Sequence, residues 1–137
     1  MKNYNLKIIT PTETKFDSEV NNIIVPGKEG KFGVYYNHIP FLAIIESGEL
    51  KVDYEEKKPD FIAIHNGFVE VLPEEVIIVV DKAEIATEID LKWAKRNKDS
   101  VESKLKAKTL SNDEKEKYQR KLRRAKSRIS IVNNLIE

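Results

Sequence analysis

The 137-residue sequence has no cysteine, which excludes disulfides, thiolate nucleophiles and thiolate metal sites and fits a reducing compartment. No apolar run approaches the ~20 residues a membrane helix needs. The opening MKNYNLKIIT carries neither the apolar block of a secretion signal nor the Arg/Ser bias of a transit peptide. Histidine is scarce. His38 and His65 are the only two, and neither sits in H-x-x-x-H or H-E-x-x-H spacing, so no metal is expected. Neither G-x-x-x-x-G-K-[ST] nor G-x-G-x-x-G occurs, and the glycines of GKEGKFG read as turn residues rather than a phosphate cradle. Glycine ends at Gly67 and proline at Pro73, so the rest of the chain lacks both helix breakers.

The charge divides at nearly the same place. Residues 1–81 hold eight Lys or Arg against fourteen Asp or Glu, while residues 82–137 hold sixteen against nine. An overall net charge of +1 therefore joins an acidic part to a basic one.

The acidic part reads as strands. Tyr4-Leu6-Ile8 and Leu50-Val52-Tyr54 alternate with the two-residue period of a half-buried strand. NNIIVP, FLAII, FIAI, FVEVL and VIIVV are short apolar runs rich in β-branched residues, each bounded by turn chemistry. HNG is read as the turn that ends FIAI, which makes His65 a turn residue. Closely spaced strands without an intervening helix predict an antiparallel β-sandwich over residues 1–83.

Residues 84–137 read as a two-helix antiparallel hairpin. Asp90 is a suitable N-cap for a helix from Leu91 to about Lys108. Ser111 with Glu114 has capping-box spacing for a second helix. That helix carries a clean seam, Tyr118, Leu122, Ala125, Ile129, Val132 and Ile136. The first helix answers poorly, with Leu91, Ala94, Val101 and Leu105 interrupted by a polar gap, which predicts a hairpin able to open or change partners. Ile131 and Leu135 lie off the seam, so the tip is apolar on more faces than one partner helix can cover.

Chemistry is thin. No nucleophile or acid pair accompanies His38, so it is read as a surface contact rather than a catalyst, and a hydrolase has little support. Lys117, Arg120, Lys121, Arg123, Arg124, Lys126 and Arg128 form an acid-free basic run. Such a run fits a solvated helix face or an anionic partner, either an acidic protein surface or nucleic acid. No RNA-binding motif or stacking platform accompanies it.

The ordered set VPG with Glu29-Gly30, Phe32-Gly33-Val34, His38 with Pro40, Gly48-Glu49-Leu50, GFVEV, and the Asp81-to-Asp90 junction closely resembles the epsilon subunit of F-type ATP synthases. The resemblance implies a non-catalytic part of the rotary central stalk, in a bacterial-type enzyme, peripheral on the cytoplasmic face of the cell inner membrane. Its partners would be the gamma subunit, the membrane c-ring and the alpha/beta catalytic hexamer, with no nucleic acid and no direct membrane insertion. Lys31, Asn37, His38, Ile39 and Pro40 would face the ring and gamma. Lys117, Arg120, Lys121, Arg123, Arg124 and Arg128 would meet an acidic segment of beta when the tail extends, inhibiting ATP hydrolysis. Residues 1–83 would be the docking domain and residues 84–137 the mobile regulatory one. Some relatives bind ATP on the folded tail, and Glu84, Asp90, Arg124 and Arg128 are the candidates here. Trp93 stands where such relatives have arginine, so the expectation is that no cofactor binds. Asn37 replaces a glycine of the family pattern, and asparagine tolerates the left-handed conformation that turn needs.

Overall fold

The computed structural model describes residues 2–107 and 109–136, with the side chains of residues 134–136 outside that description. The expected seam member Ile136, the tip residue Leu135 and the expected helix end at Lys108 therefore lie outside the described side chains or residues. Eight strands come first: β1 (Tyr4–Ile9), β2 (Thr14–Val20), β3 (Asn22–Gly27), β4 (Gly30–Val34), β5 (Phe41–Ile45), β6 (Gly48–Asp53), β7 (Asp60–Val71) and β8 (Glu75–Ile85). A 3-10 turn at Ala86–Glu88 leads into α1 (Leu91–Leu105) and α2 (Asn112–Ile136). β8 thus runs just past residue 83, and α1 stops short of residue 108.

Hydrogen bonds connect the strands in the order β2-β1-β8-β7-β5-β3-β4, with β6 bridging β3 and β7. Leu6, Ile8, Ile23, Leu50, Ile62 and Ile78 are among the residues of the fully buried core between the layers. One pair departs from the antiparallel expectation: Asn5–Ile9 of β1 runs parallel to Glu75–Val79 of β8. Parallel neighbours need a long connection, and nearly the whole sandwich lies between these two strands. β2 was not apparent in the sequence because TKFDSEV is mostly polar. It is an edge strand that buries only Val20 fully.

The largest difference lies in β7. FIAI and FVEV are not two strands separated by a turn but one strand with a kink between them. Asn66 takes φ 53 inside the strand, a left-handed conformation that asparagine accepts. Gly67 follows because nothing larger fits: a Cβ there would lie 1.9 Å from the Val79 carbonyl oxygen. The kink lets one strand serve two neighbours along the same edge. Asp60–Ile64 pairs with β6, and Gly67–Val71 pairs with β5, while β8 pairs on both sides of the kink along the other edge.

The helices begin as their caps require. Asp90 Oδ1 accepts from the Lys92 and Trp93 amides at 3.0 and 3.2 Å. The Ser111 hydroxyl accepts from the Glu114 amide at 3.2 Å and donates to its carboxylate at 3.1 Å. α1 buries only Ala94 and Val101, the shallow seam its sequence implies. The off-seam Ile131 is fully buried against Ala63 and Ala86, with Phe61 and Ile89 alongside, so the second apolar face of α2 lies on the sandwich.

Gly67→Ala is expected to lower stability by about 3 kcal/mol, since the methyl must displace the backbone of β8. Thermal unfolding measures it, and an unchanged midpoint would contradict the close approach.

Candidate functional site

The kink in β7 also builds a polar cluster. Ile62 to His65 are buried in succession, because Ile62 and Ile64 face the core while Ala63 and His65 lie beneath α2. His65 is therefore not the turn residue its HNG context implies; it is 0% exposed. The turn chemistry is present at Asn66, but it bends a strand rather than ending one.

A buried imidazole needs partners; two elements supply them, and a third joins through Glu84. His65 Nδ1 lies 3.2 Å from Ser47 Oγ, in the connection between β5 and β6. His65 Nε2 lies 3.1 Å from Glu84 Oε1 on β8. Arg128 of α2 donates from Nε to the same Glu84 oxygen at 2.7 Å. Arg128 is only 5% exposed, and its guanidinium carbon lies 5.2 Å from the centre of the Trp93 ring on α1. Ser130 adds a tie, donating to Glu49 of β6 at 2.9 Å.

The charges follow from this geometry. Burial works to raise the Glu84 carboxyl, but hydrogen bonds from His65 and Arg128 and the charges of Arg128 and Lys82 outweigh it and hold Glu84 down at about 2. Burial lowers His65, and Arg128 and Arg124 push the same way against the opposing pull of Glu84. At neutral pH the cluster is a carboxylate and a guanidinium joined across the tail–sandwich seam, beside a neutral imidazole.

The four candidates for nucleotide are only partly brought together. Glu84 and Arg128 are bonded to each other, Asp90 caps α1, and Arg128 lies over Trp93. Arg124 reaches Asp81 at 3.8 Å, and its Nε is buried without a hydrogen-bond partner. Glu84 and Arg128 neutralise each other across the seam. Among the described residues, no group of three or more His, Asp or Glu could hold a metal ion.

The basic run splits over α2. Lys117, Arg120, Lys121 and Arg124 converge with Asn66 and Asp81 on a cleft of about 340 Å³. Arg123 is exposed, and Arg128 lies in the seam.

Asn37 to Pro40 share one loop between β4 and β5. Asn37 takes φ 60, the conformation its side chain was expected to allow, and its amide donates to the Pro73 carbonyl at 2.9 Å. His38 Nδ1 lies 3.0 Å from the Ile39 carbonyl oxygen, and its ring stands edge-on to Phe41 with centres 5.2 Å apart. Phe41 in turn meets Phe32 at 5.3 Å, and the exposed Lys31 precedes Phe32 on β4. Ile39 is 78% exposed.

Beside this loop lies a surface that the sequence reading did not single out. Leu42 and Ile44 of β5 and Phe68 of β7 are exposed, with Ile44 directly opposite Phe68. Leu42 and Ile44 also line a groove of about 440 Å³ with Phe32, Phe41 and the β3–β4 turn. The available signal was FLAII itself, a strand apolar on both faces.

A sequence profile described as the ATP synthase delta/epsilon chain β-sandwich domain matches residues 3–86. The chain is 36% identical over 134 residues to the ATP synthase epsilon chain of Staphylococcus saprophyticus, covering 97% of this chain and 98% of that one. It is 37% identical over 127 residues to that of Syntrophobacter fumaroxidans, covering 93% of each. Its fold resembles a chain of the Euglena gracilis mitochondrial ATP synthase, solved as OSCP, F1 and c-ring. There the TM-score is 0.81 at 20% identity, over 98% of this chain and 82% of that one.

Glu84→Gln leaves Arg128 without its counter-charge and is expected to weaken tail docking by about 2–3 kcal/mol, read as faster amide exchange in α2. Because Glu84 sits at about 2, below its ordinary 4.5, its contribution is present above pH 4.5 and lost as pH falls toward 2. Acid titration of wild type should show that loss, and Glu84→Gln should lack it.

Proposed function

The chain belongs to the ATP synthase delta/epsilon family, and from that membership we propose that it serves as a non-catalytic central-stalk subunit with a detachable inhibitory tail. The observation that carries the proposal is the division of one apolar outer face. Where β7 runs from Ala63 to His65, that face is covered by α2; at Phe68, with Ile44 and Leu42 on β5, it is bare. A contiguous apolar surface left open beside a covered one calls for a second partner. The gamma subunit takes that part, and the loop of Asn37, His38, Ile39 and Pro40 with Lys31 faces gamma and the c-ring. The subunit is then peripheral, on the cytoplasmic face of the membrane that holds the ring, and transmits rotation driven by ion flow. Consistently, no helix among the described residues is long and apolar enough to cross a membrane.

The tail has the means to change partners. Its seam with α1 is shallow, and among the described side chains its hold on the sandwich rests on one buried isoleucine and a few polar ties. Lys117, Arg120, Lys121 and Arg123 are exposed in the docked form and would meet an acidic segment of beta on extension. Arg124 and Arg128 join them only after leaving Asp81 and Glu84. The anion that meets this helix is accordingly protein rather than nucleic acid. ATP is not expected as a ligand of the docked tail, since using Arg128 would first require the Glu84–Arg128 pair to break.

Ile44→Asp is expected to cut co-purification with gamma at least tenfold while leaving the fold intact, since Ile44 points to solvent. His38→Ala should weaken docking or coupling while leaving hydrolysis chemistry intact. Removing the residues after position 108 should preserve assembly and raise ATPase activity of the complex. Unchanged ATPase would remove the inhibitory role and leave the coupling role standing.

A further inference from the structure

The hydrogen bonds around His65 can be closed for either protonation state. Ser47 Oγ lies 3.1 Å from Asn66 Oδ1, and its one proton can point there or toward the ring. With that proton on Asn66, His65 Nδ1, 3.2 Å from the same oxygen, donates to it. His65 Nε2 faces the Glu84 carboxylate at 3.1 Å and must donate as well. Both ring nitrogens carry hydrogen only in the imidazolium. A neutral ring is accommodated by turning the Ser47 hydroxyl toward Nδ1 and flipping the Asn66 amide so that its NH₂ meets Ser47. The site therefore has hydrogen-bond arrangements for both protonation states.

What decides between them arrives with the tail. From β8 the ring faces Glu84, with Lys82 as its cross-strand neighbour; from the β5–β6 connection it faces uncharged Ser47. From α2 come two cations: Arg128, bonded to the same Glu84 oxygen, and Arg124, paired at 3.8 Å with Asp81. From α1, Trp93 contributes no charge and lies over Arg128. With α2 docked, a proton on His65 would be buried beside two guanidiniums, with Arg128 sharing the ring's one carboxylate oxygen. With α2 gone, Glu84 would be free to pair with the imidazolium alone.

We propose that His65 is a proton-operated latch for the tail, in which protonation of the imidazole beneath α2 displaces Arg128 from Glu84 and releases the helix from the sandwich. The latch rests on the reading of the tail as detachable. Its sign follows from linkage. The docked state disfavours the proton on His65, lowering it from its ordinary 6.5, so docking is full above that pH and weakens as pH falls below it. Glu84, already held at about 2, does not titrate in that window.

The absence of cysteine makes the test direct. Spin labels at Thr12→Cys and Gln119→Cys, both exposed sites, report the sandwich-to-α2 distance in the full chain. Between about pH 7.5 and about pH 5.5 the docked-to-open ratio should fall about tenfold, the limit for one proton with a free value near 6.5. The response should vanish in His65→Gln, which keeps a donor and an acceptor but does not titrate. An unchanged distance distribution in wild type, where Arg128→Ala does open the tail, would overturn the latch alone. A pH response that persists in His65→Gln would do the same. A tail still docked in Arg128→Ala would overturn the latch and the detachable tail together. Should His65→Gln fail to fold, NMR titration of the wild-type imidazole decides. Protonation that tracks opening supports the latch, and protonation at a different pH overturns it.

Discussion

The kink at Asn66–Gly67 is the constraint on which the rest of the architecture turns. A straight β7 could not pair with β6 at one end and β5 at the other, and without that change of partner the sandwich would not close. The kink is possible because asparagine accepts a positive φ and because glycine lets the Val79 carbonyl approach where any side chain would collide. The same bend leaves His65 beneath α2, beside Ser47 and opposite β8, so closure of the fold and construction of the polar cluster share one local cause. Function then follows by adjacency. The half of β7 before the kink carries the tail, and the half after it presents the bare apolar face.

Tail docking is held by a balance that favours reversibility. Among the described side chains the satellite core is small: Ile131, Ala63 and Ala86, with Phe61 and Ile89 half-buried around them. Burying an isoleucine contributes about 2–3 kcal/mol, an amount that the ordering of a long helix largely offsets. Glu84 and Arg128 supply specificity more than strength, since desolvating both charges consumes much of their attraction. Two packings separated by a few kcal/mol can be exchanged by one added proton or one competing anion.

Much of this was legible in the sequence, because its rules are local. The caps at Asp90 and Ser111, the seam of α2 and the left-handed Asn37 follow from side-chain chemistry over a few residues. The family pattern was legible for a related reason, as a string of turn and strand signals in order. Misreadings came where a local signal had a distant purpose. HNG carries turn chemistry, but whether a turn ends a strand or bends it depends on what lies opposite, and Val79 is not visible from position 67. Glu84 and Arg128, forty-four residues apart, could be named as candidates but not as partners. The parallel pairing of β1 with β8 likewise has no local signature. FLAII announced two apolar faces without saying that one stays bare.

In the proposed switch, Arg128 would link the docked and extended tails by exclusion. In the docked form it is buried between Glu84 and Trp93, so it is the one cation of the basic run that no outside acid can reach. An acidic partner can recruit it only by first breaking the docked state, and a docked tail withholds it from any partner. Arginine suits this double duty. It stays charged at every relevant pH, bonds a carboxylate through fixed geometry and stacks on an indole, so it satisfies either site without changing state. A lysine there would lose the fixed fork that holds Glu84, and a neutral residue would leave Glu84 to His65. A switch built on that proposal would work with one guanidinium and two alternative carboxylates, provided that something, such as a proton on the neighbouring imidazole, decides which carboxylate it holds.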